Sequence, residues 1–107
     1  MHIPPKGFYY HYKHDPQGPF NDYAYEVIGT ARHTEDKTFL VLYRPLYEND
    51  WFKPVACQAR PLEMFNENVT KDGQIIPRFQ MITDKSLIAK LEKIRDDIYG
   101  KNATIPA

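Results

Sequence analysis

A chain of 107 residues with 42% hydrophobic and 26% charged side chains is long enough to close one small core and too apolar to be a disordered polymer. Its 14 basic and 14 acidic residues cancel, which removes the global argument for a nucleic-acid partner and leaves only a local basic patch to make one. One cysteine, Cys57, excludes an intramolecular disulfide and fits a reducing, cytoplasmic setting. No signal-like segment and no run of membrane-spanning length is expected.

Residues 2–7 form a Pro-rich arm, expected to be extended. Residues 8–13 (FYYHYK) read as a first short strand, and residues 14–22 as a loop punctuated by Pro16, Gly18 and Pro19. Residues 25–47 read as a β-hairpin. Val27, Ile28, Thr30, Phe39, Val41, Leu42 and Tyr43 suit a pleated, half-buried surface, and Thr34, Glu35, Asp36 and Lys37 supply the turn. A loop with Trp51 and Phe52 follows. Residues 55–60 (VACQAR) then read as a strand ended by Pro61, and residues 62–65 as a helical turn that offers Leu62 and Phe65 to the core. Asp72-Gly73 is a hairpin signal, with residues 77–82 as the last strand.

Thr83 or Asp84 caps a helix over residues 85–99. Its stripe of Leu87, Ile88, Leu91, Ile94 and Ile98 must pack on the sheet or on another subunit, and Gly100 stops it. No helices separate the strands, so the fold class is mainly β. A small antiparallel barrel or bent sheet, about residues 7–82, is followed by one C-terminal α-helix, about residues 84–99, in a single domain over residues 1–107.

Several short stretches occur together and in order. They are Gly7, Tyr9 and His11-Tyr12-Lys13; Tyr25, Val27, Gly29 and Ala31-Arg32-His33-Thr34-Glu35; and Val41, Tyr43-Arg44 and Leu46-Tyr47. Arg60-Pro61-Leu62-Glu63-Met64-Phe65, Val69, Asp72-Gly73 and Pro77-Arg78-Phe79 complete the set. In these the chain resembles the bacterial domain of unknown function family 1653. The resemblance implies a small SH3-like β-barrel module with no settled activity. It leaves out the C-terminal helix, and the loops over residues 14–21 and 48–58 look longer than such domains usually carry.

Candidate chemistry concentrates in a few places. Arg32, His33 and Glu35 crowd one turn, where they could form an anion site with His33 as proton carrier; the plainer reading is a solvated pair with His33 capping the turn. His11 and His14, with His33 or Cys57, have the residue types of a zinc site. In a strand, however, the two histidines point to opposite faces, so no metal and no cofactor is expected. Cys57, in an alternating context, reads as a small core residue.

Eight Tyr, six Phe and one Trp are many for this length, and they suit either a filled small core or a lined groove. Arg44 and Arg60 each precede a proline at the end of a strand. Tyr43, Tyr47 and Trp51 lie close to Arg44 in sequence, so Arg44, Arg60, Tyr47 and Trp51 are expected to line one pocket for an anionic or planar group. The alternative is that each arginine pairs with an acidic neighbour such as Glu63. The function expected is a non-enzymatic binding module that recognises a small anionic or planar ligand, or a protein partner, through an aromatic and basic surface drawn from Tyr9, Tyr12, Tyr43, Tyr47 and Trp51 with Lys13, Arg44, Arg60 and Arg78. A nucleic-acid-associated module is one alternative, and a small-molecule enzyme using His33 and Glu35 is another.

Overall fold

The computed structural model describes residues 1–48 and 57–100. Among these residues seven strands and two helices follow one another: β1 (Gly7–His11), β2 (Ala24–Arg32), β3 (Phe39–Pro45), β4 (Gln58–Pro61), α1 (Leu62–Phe65), β5 (Asn68–Lys71), β6 (Gln74–Pro77), β7 (Phe79–Met81) and α2 (Lys85–Tyr99). The fold is mainly β, antiparallel, with the C-terminal helix expected from the apolar stripe.

Strands β4-β3-β2-β1-β7 make one five-stranded sheet, and β5-β6 a separate hairpin. β4 and β7 stand at the two edges. The sheet curls enough that Arg60 of β4 places its guanidinium carbon 5.5 Å from the ring centre of Phe79 in β7. The long hairpin β2-β3 carries a bulge. Val27 faces Tyr43 and Gly29 faces Leu42, so Ile28 is an extra residue, and beyond it Thr30 faces Val41. Its turn runs from His33 to Thr38, closed by the His33 N–H to the Thr38 carbonyl at 2.7 Å, with Lys37 at φ +63°. In the β5-β6 hairpin, Asp72 and Gly73 both take positive φ, +51° and +77°. Both central residues of a tight primed turn require that conformation, and an Asp-Gly pair tolerates it.

The sheet has a core on each face. On one, Tyr9, Tyr25, Val27, Val41, Tyr43 and Phe79 pack with Leu62 and Phe65 of α1. On the other, Phe8, Ala24, Leu46 and Ile82 receive α2 through Leu91, which is fully buried, flanked by Leu87, Ile88 and Ile94. Ile98 is half-buried and stands outside that cluster. Helix α2 begins where Asp84 accepts the Ser86 and Leu87 backbone N–H groups at 2.9 and 3.2 Å, and it ends at Gly100, φ +91°.

The helix face decides the fate of Arg44. Alternation along β3 turns Val41 and Tyr43 toward the aromatic core and Arg44 toward α2. There its Nε and Nη2 both donate to Glu26 Oε1 at 2.9 Å, and its guanidinium carbon lies 4.2 Å from the Tyr99 ring centre. Arg95 of α2 donates to the other Glu26 oxygen at 3.0 Å and to Asp96 at 3.1 Å. The single pocket expected for Arg44 and Arg60 is therefore not formed, because the two arginines stand on opposite faces of one sheet. The pairing alternative describes Arg44, with Glu26 rather than Glu63 as its carboxylate.

Candidate functional site

On the face away from α2, alternation in β1 sends Tyr9 and His11 to the same side as Tyr25 and Val27 of β2. Tyr9, Tyr25, Tyr43, Phe65 and Phe79 are buried and make the floor. Phe65 and Phe79 stack with centroids 4.2 Å apart and planes at 4°, and Tyr43 meets both at 5.9 and 5.7 Å. Half-buried rings run along the rim of this floor. Tyr12 lies 4.5 Å from His11, His11 stacks on Tyr23 at 5.7 Å, and Tyr23 lies 5.8 Å from Tyr47. Tyr47 is tied to the floor by a 2.5 Å hydrogen bond between its hydroxyl and that of Tyr25.

Cations stand beside the rings. Arg60, half-buried, donates its Nε to the Tyr43 hydroxyl at 3.2 Å and has no carboxylate within ion-pair distance among the described residues. Lys13 and Arg78 each lie 6.0 Å from the Tyr12 ring centre, and Lys71 donates its ammonium to the Tyr12 carbonyl at 2.7 Å. Arg78 is offset by Glu67 at 2.9 Å.

The imidazole of His11 responds to this setting. Burial first, then the positive charges of Arg60, Lys13 and Arg78, bring its pKa down to about 4, so it is neutral near pH 7. Burial also pushes the Tyr25 and Tyr47 phenols upward and keeps them protonated. The arrangement offers rings, phenol hydroxyls and an arginine fork whose Nη groups meet no carboxylate among the described residues, which suits recognition of a flat or anionic group.

Of the residues singled out from the sequence, Tyr9, Tyr12, Tyr43, Tyr47, Lys13, Arg60 and Arg78 come together here, with Tyr9 and Tyr43 in the floor rather than the lining. Trp51 lies outside the described residues. Arg32, His33 and Glu35 sit on the β2-β3 turn, away from the rings. His33 Nδ1 accepts the Glu35 backbone N–H at 3.1 Å and faces Asp36 at 3.6 Å, so the imidazole caps the turn, and no Arg32–Glu35 ion pair is formed. His14 stacks on Tyr10 at 3.7 Å and donates its Nδ1 to the Asp22 carbonyl at 2.7 Å, apart from His11. Among the described residues no group of His, Cys, Asp and Glu is placed to hold a metal ion. A separate hollow beside the N-terminal arm, lined by His2, Lys37, Phe39, Leu62 and Glu63, shares only Phe39 and Leu62 with the aromatic cluster.

His11, Tyr23 and Phe79 belong to the site although no local sequence pattern joins them. The signal was the Tyr9–His11 alternation, which becomes useful once β1 is paired with both β2 and β7.

A family model described as protein of unknown function (DUF1653) matches residues 7–81. A crystal structure of a DUF1653 protein from Bordetella bronchiseptica is similar, with 28% sequence identity and a TM-score of 0.57, covering 76% of this chain and 94% of that one. No curated protein matches the sequence. Among the described residues no helix is long and apolar enough to cross a membrane.

Proposed function

Because the chain belongs to the DUF1653 family, described only as proteins of unknown function, we propose its role from the site itself: a non-enzymatic binding module that takes a planar or anionic group of a ligand or partner onto the aromatic, basic rim. The observation that carries this reading is Arg60. Its guanidinium lies over Phe79, is held by the Tyr43 hydroxyl, and keeps its Nη fork free of any carboxylate among the described residues. A guanidinium oriented by a ring and one hydrogen bond is preorganised for a carboxylate or phosphate, and the half-buried Tyr23 and Tyr47 provide flat surface beside it. Neutral His11 and protonated phenols give the rim donors and ring faces rather than a poised base, which favours binding over catalysis. Cys57 as a free thiol is in keeping with a reducing, cytoplasmic setting.

A screen of small planar carboxylates by thermal shift and NMR, on wild type and Arg60→Met, tests the proposal. Hits should move the resonances of Arg60, Tyr23 and Tyr47, and Arg60→Met should weaken them about tenfold or more by removing a charge-assisted hydrogen bond. Shifts clustered on α2 or on the His33–Thr38 turn, or an unchanged hit profile in folded Arg60→Met, would place the site elsewhere.

A further inference from the structure

Net neutrality hides a local imbalance. Lys13, Arg60 and Lys71 have no ion-pair partner among the described residues, and all three border the row of half-buried rings Tyr12–His11–Tyr23–Tyr47. Lys71 is fixed there by its bond to the Tyr12 carbonyl, and Arg78, near the same ring, is offset by Glu67. Several acidic groups act elsewhere. Glu26 and Asp96 serve the α2 face, Asp84 caps the helix, and Asp36 is tied to Thr38 in the distant turn. The row is therefore electropositive at its Tyr12 end, while Asp22 lies near Tyr47 at the other.

A succession of half-buried rings with cations beside it matches a polymer that alternates flat groups and negative charges. An acidic peptide would use the cations and leave the rings idle. A proline-rich peptide would use the rings and leave the cations unpaired. Resting on the binding-module reading above, we infer that the partner of this surface is a single-stranded nucleic acid, its bases on Tyr12, Tyr23 and Tyr47 and its phosphates near Lys13, Lys71 and Arg60. A duplex keeps its bases stacked inside and would gain only the phosphate contacts.

Fluorescence anisotropy with labelled oligo-dT and oligo-rU strands of about a dozen nucleotides tests the assignment on the full chain. Neutralising phosphates at Lys13, Lys71 and Arg60 predicts a log–log salt slope of about −2, so affinity should fall roughly 100-fold between about 20 and 200 mM salt. Lys13→Gln, an exposed change that leaves the fold intact, should flatten the slope by about 0.7, and Tyr12→Leu should weaken binding by about fivefold or more.

The inference is overturned by any of three results. One is no anisotropy change at about 20 mM salt with protein up to about 100 μM. Another is equal affinity for a duplex of the same length together with no effect of Tyr12→Leu. The third is equal binding of oligoglutamate. If small planar carboxylates still move Arg60 and Tyr47 while no oligonucleotide binds, this inference falls and the binding-module reading stands. If neither class moves them, both fall.

Discussion

Replacing Glu26 by Gln should be among the most destabilising changes in the chain, although the two side chains have nearly the same shape. The Glu26 carboxylate is 15% exposed and accepts from two guanidiniums, Arg44 at 2.9 Å and Arg95 at 3.0 Å. Arg44, 7% exposed, has no other counter-charge among the described residues, whereas Arg95 keeps Asp96 at 3.1 Å. Removing one partner of a buried pair typically costs about 3–5 kcal/mol, because the remaining charge stays desolvated. With Glu26 partly accessible and Arg95 able to turn to Asp96, the lower end applies, about 3 kcal/mol. Arg44→Met should cost less, about 1.5–2 kcal/mol. It leaves Glu26 paired with Arg95, keeps most of the apolar stem, and loses the stack on Tyr99. The double variant should be no worse than Glu26→Gln alone, giving a coupling of about 1.5–2 kcal/mol. Urea unfolding of wild type, both single variants and the double variant measures all of this. At an m-value of about 1.5 kcal/mol/M, Glu26→Gln should lower the midpoint by about 2 M. A loss below about 1 kcal/mol for Glu26→Gln, or strict additivity in the double variant, would refute the claim that Arg44 depends on Glu26 for its place under the helix.

Two further outcomes test other parts of the structure. Folding holds the His11 pKa below the 6.5 of a free imidazole, at about 4, so the unfolded chain takes up that proton first as pH falls. Stability from His11 is complete above pH 6.5 and is lost progressively from there toward pH 4. Allowing for solvent screening of a half-exposed ring, the loss should be about 1–2 kcal/mol, visible as a drop in urea midpoint that is smaller in His11→Phe; equal pH dependence in the two proteins would show that His11 titrates normally. Asp84→Ala removes the acceptor of the Ser86 and Leu87 N–H groups and should lower the urea midpoint, with amide exchange accelerated first at residues 85–88.

The elements were legible where a local signal and the tertiary structure agree. Asp84, the Leu87–Leu91–Ile94 stripe and Gly100 state a helix without help from the rest of the chain, and Asp72-Gly73 states a turn because few other pairs tolerate two positive φ values. Arg44 was misplaced for a different reason. Reading it as a rim residue assumed a sheet with one dry face, and in such a sheet a charged residue between Tyr43 and Pro45 points to water. Leu42 and Leu46, in the opposite phase to Val41 and Tyr43, were the indication that β3 is covered on both sides. The helix that covers the second face lies some forty residues away in sequence and brings Tyr99 and Arg95 with it, which no local pattern states. Tyr47 and Arg60 were found because they remain on the side left open by that helix. The role of His11 as a ring is not legible locally, because it depends on Tyr23 and Phe79 arriving from elsewhere in the chain.

The extra residue in β2 divides that strand into two segments that obey different clocks. From Ala24 to Val27 the beat is set by the aromatic floor, with Tyr25 and Val27 on it; after Ile28 the beat slips by one, and Thr30 takes the place opposite Val41. The outer hairpin with Arg32, His33 and Glu35 is thereby geared separately from the inner half that seats Tyr43 beside Arg60. Val41 and Phe39, opposite Thr30 and Arg32, still reach the aromatic core, so the slipped segment stays anchored to the same rings while its turn carries Arg32, His33 and Glu35 away from them.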